Sequence, residues 1–306
     1  MSARTDLAME ARELIREEIE GVEEEKYNIN FMHITHVSIK NEAAAKQIGK
    51  PMGEYVTIET ENMCRKNTYT ISAVAEVLAE ELRKIHTVND TDSILIVGLG
   101  NHAITPDAIG PKTVQEVLVT RHLWEYMPNH MDHRVCRVSA VAPGVLGTTG
   151  IETGEIVFGL VEKVKPTLVV AVDALVSLHA ERVATTIQMT DTGIHPGSGV
   201  GNNRRGLNDE TMGVPVIAIG IPTILDTAGF FKENMMELMD AMSCEELSNQ
   251  QKDNLLSKLS SWTEPSFFVT PKDMDALSDM AAKILALGID LWLHSDMSEE
   301  ELMLYR

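Results

Sequence analysis

The run Thr167 to Leu175, TLVVAVDAL, decides the fold. It is continuously apolar apart from one acid, and rich in valine, which suits a strand buried on both faces rather than one that alternates between core and water. Two other runs share its character, SILIVGLG (Ser93 to Gly100) and VPVIAIGIP (Val214 to Pro222). Between them lie stretches of helical period, including Gly154 to Val164 after the Gly/Thr-rich turn GVLGTTGIETG. Apolar strands alternating with helices predict an α/β fold, a mainly parallel sheet with helices on both faces.

Outward from this centre the signals weaken. Leu7, Ala8, Ala11, Leu14, Ile15 and Ile19 are helically spaced, which predicts a helix from Thr5 to about Glu24 with an acidic outer face. Phe31 to Ile39 and Glu54 to Glu59 read as short strands, and Thr70 to Ile85 returns to helical period. At the other end, Phe230 to Leu259 and Pro271 to about Leu293 read as helices joined by SSWTEPSFF. The expectation is one α/β domain, residues 7–306, with a helical C-terminal region from about residue 230.

The totals bound the function. The chain has 306 residues, 44% of them apolar and 24% charged, enough for a large core and unlike a disordered chain. A formal net charge of −20 repels polyphosphate, so nucleic acid is a poor partner and a neutral or basic polypeptide a better one. Cys64, Cys136 and Cys244 are far apart, a pattern of reduced, mostly buried thiols in a reducing compartment. Neither a signal-peptide core nor an uninterrupted apolar window of about 18 residues is present, so a soluble, intracellular protein is expected.

In open parallel sheets ligands gather beyond the carboxyl ends of the strands. ILIVGLGNHAITPDAIGP places Asp107 just after one buried strand, and LVVAVDALVSLHAERV places Asp173 at the tip of another. Asp107 could instead cap the helix that begins near Pro111, and Asp173 could also be a cap. A carboxylate inside VVAVDALV is desolvated, however, and needs a partner, a metal or a task. Two carboxylates sharing a site do not both ionise easily: the ionised one can activate water while the protonated one polarises a carbonyl, the acid and base of peptide hydrolysis.

Competing patterns are incomplete. GLGNHA lacks the third glycine of a dinucleotide fingerprint, and DTGIHPGSGVGNNRRG (Asp191 to Gly206) lacks a Walker lysine. That loop fits a substrate-contacting segment, with Arg204 and Arg205 placed to receive an acidic side chain or simply solvated. His179, Glu181, Asp191 and His195 could complete a metal site with the two aspartates, but their spacing matches no standard set and packing is the plainer reading. Neither G-x-S-x-G nor H-E-x-x-H occurs.

Five stretches, RTDLAMEA, GLGN…TPDAIGP, VVAVDALVSL, TTIQMTDTGIHPGSGVGN and VPVIAIGIPTILDT, resemble the germination (spore) protease family. The resemblance runs from near the first residue to about Asp226 and more loosely to the end. It implies an aspartic-type endopeptidase, made as a zymogen, that cuts small acid-soluble spore proteins during germination. It further implies a core resembling the hydrogenase-maturation endopeptidases, a homotetramer, no cofactor, and a location in the cytoplasm of the forespore or spore core. The family's two catalytic aspartates correspond to Asp107 and Asp173. Its preference for cutting after an acid, before a hydrophobic residue followed by alanine, matches Asp6-Leu7-Ala8, so residues 1–6 are expected to be a short propeptide cut between Asp6 and Leu7.

Overall fold

The computed structural model describes residues 5–15, 17–60, 63, 68–195, 206–241, 267–294 and 297–305. Nine strands form one sheet: β1 (Val22–Ile29), β2 (Met32–Ile39), β3 (Gly53–Glu59), β4 (Ser93–Gly98), β5 (Arg137–Val141), β6 (Leu168–Ser177), β7 (Thr186–Thr190), β8 (Val216–Asp226) and the short β9 (Phe268–Val269). Their order is β1-β2-β3-β7-β8-β6-β4-β5, with β9 also paired to β8.

The sheet is mixed, which corrects the expectation of a mainly parallel one. Among the described residues only β4–β5, β4–β6 and β6–β8 pair in parallel. The pairings β1–β2, β2–β3, β3–β7, β7–β8 and β8–β9 are antiparallel. The three valine- and isoleucine-rich runs are indeed the parallel strands β4, β6 and β8, but a four-stranded antiparallel wing is joined to them through β7. The wing begins with β1, whose sequence VEEEKYNI continues the helical period of the N-terminus by coincidence of charge and spacing. The N-terminal helix therefore stops at Glu13, having begun at Ala8, and Val22 to Glu24 belong to a strand. The acidic face of β1 keeps this sheet edge in water and discourages pairing with another chain.

Packing follows strand alternation. In β4, Ile94 and Ile96 join a core with Leu78 and Leu82 of the helix Thr68–Ile85 and with Leu285 and Ile289 of the helix Met274–Leu293. Leu95 and Val97 point the other way, onto Val157 and Val161 of the helix Thr153–Val164. Helices thus cover both faces of the parallel half. In the wing, Val37, Ile39 and Tyr55 pack against Ala8 and Ala11 of the N-terminal helix and Ala44 and Ile48 of the helix Glu42–Ile48. Cys136 is buried and free; Cys64 and Cys244 lie outside the described residues. Among the described residues no helix is long and apolar enough to cross a membrane.

The glycines of GLGN and DAIGP serve close packing. A Cβ on Gly110, in the helix Ile109–Glu116, would lie 2.3 Å from the Leu99 oxygen and 2.5 Å from the Val172 oxygen. A Cβ on Gly100, which has φ +108°, would lie 2.1 Å from the Asp107 oxygen. The helix can sit on β4 and β6 only while Gly110 lacks a side chain. Gly110→Ala is expected to cost about 3 kcal/mol, the upper end for overpacking because the clash is with backbone. An unfolding free energy from urea titration lowered by less than about 1 kcal/mol would show that the helix can shift away.

Candidate active site

Asp173 lies within β6 rather than at its tip. The strand runs on to Ser177 against β8, with Asp173 opposite Gly220. It is β4 that ends here: its last paired residue, Gly98, faces Val172, and the Leu99 amide still donates to the Val172 carbonyl at 2.8 Å. Beyond Val172 the edge of β6 that carried β4 is open. Even-numbered residues of β6 direct their backbone groups to that edge, so Val176 presents there an N–H and C=O that β4 does not reach.

Asp107 stands beside this opening, in the one-turn 3₁₀ helix Thr105–Asp107. It does not cap the following helix. Its Oδ2 accepts the Asn101 amide at 2.8 Å, tying the turn back to the end of β4. Asp173 is 8% exposed, and its Oδ1 accepts the Ala174 amide at 2.8 Å. Burial above all, then the neighbouring charges of Asp107 and Asp6, push the Asp173 carboxyl well above the usual carboxylate range against the pull of the Ala174 N–H.

The vacant edge is filled by the chain's own N-terminus. The Asp6 amide donates to the Val176 carbonyl at 3.1 Å, and the Val176 amide donates to Asp6 Oδ2 at 2.9 Å. A side-chain carboxylate here takes the place of a strand carbonyl. The next residue, Leu7, is fully buried against Met9, Leu175 and Ile194. Ala8 is equally buried, in the cluster it forms with Val37, Ile39 and Tyr55 of the wing. Asp6 thus forms part of the wall of a cavity of about 950 Å³ that Asp107 and Asp173 also line.

Two residues that sequence reasoning did not single out hold the Asp6–Leu7 peptide. Lys50, directed inward after the left-handed Gly49 that ends its helix, donates through Nζ to the Thr5 oxygen at 3.0 Å and the Asp6 oxygen at 2.9 Å. Gln188 of β7 donates through Nε2 to the same Asp6 oxygen at 3.0 Å and accepts the Ala8 amide on Oε1 at 2.6 Å. Burial lowers the Lys50 ammonium below its ordinary range, against the opposing charges of Asp6 and Glu10. A polar residue inside TTIQMTDTG was a legible signal for Gln188; nothing in GKPMG marked Lys50.

The remaining candidates disperse. His179 lies within 3.9 Å of Glu13 and 3.8 Å of Glu181, on the 3₁₀ turn Ala180–Arg182 and its approach. Asp191 accepts the Glu54 amide at 2.8 Å, pinned to the wing, and only His195 lines the cleft. Among the described residues no three His, Cys, Asp or Glu side chains converge as a metal site would need. Arg204 and Arg205 lie outside the described residues.

Comparison with known proteins gives the family. The family model described as Germination protease matches residues 3–243. The chain is 39% identical to the germination protease of Clostridium tetani, an alignment covering 100% of this chain and 99% of that one. It is 42% identical to the germination protease of Clostridium perfringens, over 98% of each chain. With the germination protease of a Geobacillus species it shares 38% identity, over 98% of this chain and 95% of the other.

Proposed function

The chain belongs to the germination protease family, and from that premise we propose that it is a self-processing, aspartate-dependent endopeptidase whose first cut falls between Asp6 and Leu7. The observation that carries this reading is that Asp6 lines the same cavity as Asp107 and Asp173. Asp173, buried and beside a second carboxylate, is the proton holder. Asp107, half-exposed and bonded to the Asn101 N–H, is the ionised base that takes a proton from water. The water oxygen then adds to the Asp6 carbonyl carbon, the tetrahedral intermediate collapses, and the Leu7 nitrogen leaves as an amine. The pair ends with one proton, as it began.

The same seat accounts for a preference in trans. Val176 N–H and the Lys50 charge suit an acid before the cut, the Leu7 pocket suits a large apolar residue after it, and the cluster around Ala8 suits a small one. Small acid-soluble spore proteins carrying that triplet are the proposed substrates during germination, cut in the spore core by a homotetramer. While the leader stays attached, its Thr5 and Asp6 occupy the position a substrate would take, so the uncut chain is a zymogen.

Mass spectrometry of the full chain held at mildly acidic pH tests the proposal beside Asp107→Asn. Wild type is expected to lose residues 1–6, and the variant to do so roughly 10³-fold more slowly, the size of a lost general base. Equal trimming of both would sink the carboxylate mechanism. A wild type that stays intact would show that the leader is not a propeptide, and processing abolished by exhaustive chelation would move the chemistry to a metal ion.

A further inference from the structure

Resting on the reading of Asp6–Leu7 as a bond this chain cuts, we infer that Lys50 and Gln188 are catalytic residues that hold the scissile carbonyl oxygen and take up the negative charge it gains. Both donors reach one oxygen, Lys50 Nζ at 2.9 Å and Gln188 Nε2 at 3.0 Å. Two donors fill both lone pairs of a carbonyl oxygen. Donors fixed in advance around an oxygen that becomes charged only during reaction give transition-state stabilisation.

Each donor is fixed by something other than the oxygen. The Gln188 amide cannot turn over, because its Oε1 accepts the Ala8 amide on the far side of the same peptide. Nε2 must therefore face Asp6. Lys50 follows a left-handed Gly49, and its two described hydrogen bonds both go to main-chain carbonyls. A neutral side chain would anchor neutral carbonyls equally well, and burying an ammonium is costly. The charge lies near the Asp6 and Glu10 carboxylates, and it serves in addition an oxygen that turns negative during reaction.

This changes the work of the carboxylate pair. With the carbonyl oxygen occupied, the proton on Asp173 is not needed there and goes to the Leu7 nitrogen. Asp107 removes one proton from water, the hydroxyl bonds to the Asp6 carbon, and the carbonyl π pair moves onto the oxygen held by Lys50 and Gln188. On collapse the C–N bond breaks and its electron pair takes the Asp173 proton. The products are a carboxyl group on Asp6 and an amine on Leu7, and the pair again holds one proton, now on Asp107.

Self-processing of the full chain is the assay, because the bond is already seated and its first-order rate reports the chemical step. Lys50→Met and Gln188→Met are each expected to slow the loss of residues 1–6 by about 10²- to 10³-fold, the effect of removing one oxyanion donor. Lys50→Arg should recover part of the loss. Hydrogen exchange at the Asp6 and Val176 amides separates catalysis from anchoring, since those amides bond each other's residues and neither touches Lys50 or Gln188. Slow processing with both amides still protected supports the inference. Processing within about threefold of wild type overturns it, as does slow processing with protection lost, which would make the two residues mere tethers for the leader. Should one variant fail to fold, the other decides by the same criteria. Asp173→Asn run alongside keeps the failures apart: if it processes normally the carboxylate reading has failed, and if it alone is inactive only the role of Lys50 and Gln188 has.

Discussion

Asp173→Asn is expected to stop release of residues 1–6, slowing it by roughly 10³-fold or more, while making the folded chain more stable at neutral pH. Loss of activity follows because asparagine has no proton to give the departing Leu7 nitrogen. The gain in stability has a different origin. Burial and two neighbouring carboxylates lift the Asp173 carboxyl well above its ordinary range, so folding opposes its ionisation. An acid whose folded-state pKa is raised stabilises the fold fully below the unfolded value, near 4, and that contribution is lost as pH rises toward the folded value. Asparagine keeps the shape and can still accept the Ala174 amide, but carries no charge to lose. The difference in Tm between variant and wild type should therefore be nil at low pH and grow with rising pH. Wild-type processing should fall on both sides of the range in which the pair holds a single proton. Processing by the variant within tenfold of wild type, or a wild-type rate flat from mildly acid to neutral pH, would refute the shared-proton mechanism.

Arg182→Met is expected to cost about 3 kcal/mol, the loss that follows when one member of a buried ionic group is removed. For a chain of this length that is a fall in Tm of roughly 5 °C. Arg182 grips Glu13 with Nη1 at 2.8 Å and Nη2 at 2.9 Å, reaches Glu59 of β3 through Nε at 3.0 Å, and lies 3.4 Å from Glu10. Glu13 and Glu59 remain partly wetted, and their share is small. Glu10 is closed off from water, accepting from Ser177 Oγ at 2.6 Å and the Leu178 amide at 2.9 Å, and needs the cation. Since Glu10 and Glu13 belong to the N-terminal helix, the variant should also process more slowly, through looser seating of Leu7 and Ala8. Arg182→Lys should fall between. A Tm unchanged within about 1 °C would show that water replaces the guanidinium without cost.

The parallel strands were legible because burial on two faces leaves an unmistakable apolar run, and Asp173 stood out because an acid inside such a run has few innocent uses. The wing was only half legible. Its strands are shorter, one face of β1 is charged, and TIQMT resembles a loop by composition while lying buried between β3 and β8. Asp173 was assigned to the strand tip because sequence gives the length of an apolar run, not the length of its neighbour; the opening arises where β4 stops. Lys50 was invisible for a related reason: a lysine after a helix-ending glycine is ordinarily solvated, and its burial depends on the leader lying across it. The C-terminal helix expected from Phe230 to Leu259 is observed as Thr227–Ala241, and the rest of that expectation falls outside the described residues.

The seam between the two halves of the sheet sets an order of events. Asp173 comes from the parallel half, Gln188 from the wing, and they share a site only because Gln188 on β7 pairs with Gly220 of β8, the residue that also faces Asp173. β7 must in turn dock on β3, a strand from far earlier in the chain. Contacts between such distant segments close late in folding. On the proposed mechanism, a chain in which β7 has not yet docked holds its acid and its carbonyl clamp in separate pieces, and is expected to cut neither itself nor a neighbour. The proposed activity is then tied to completion of this seam, and the fold acts as its own timer.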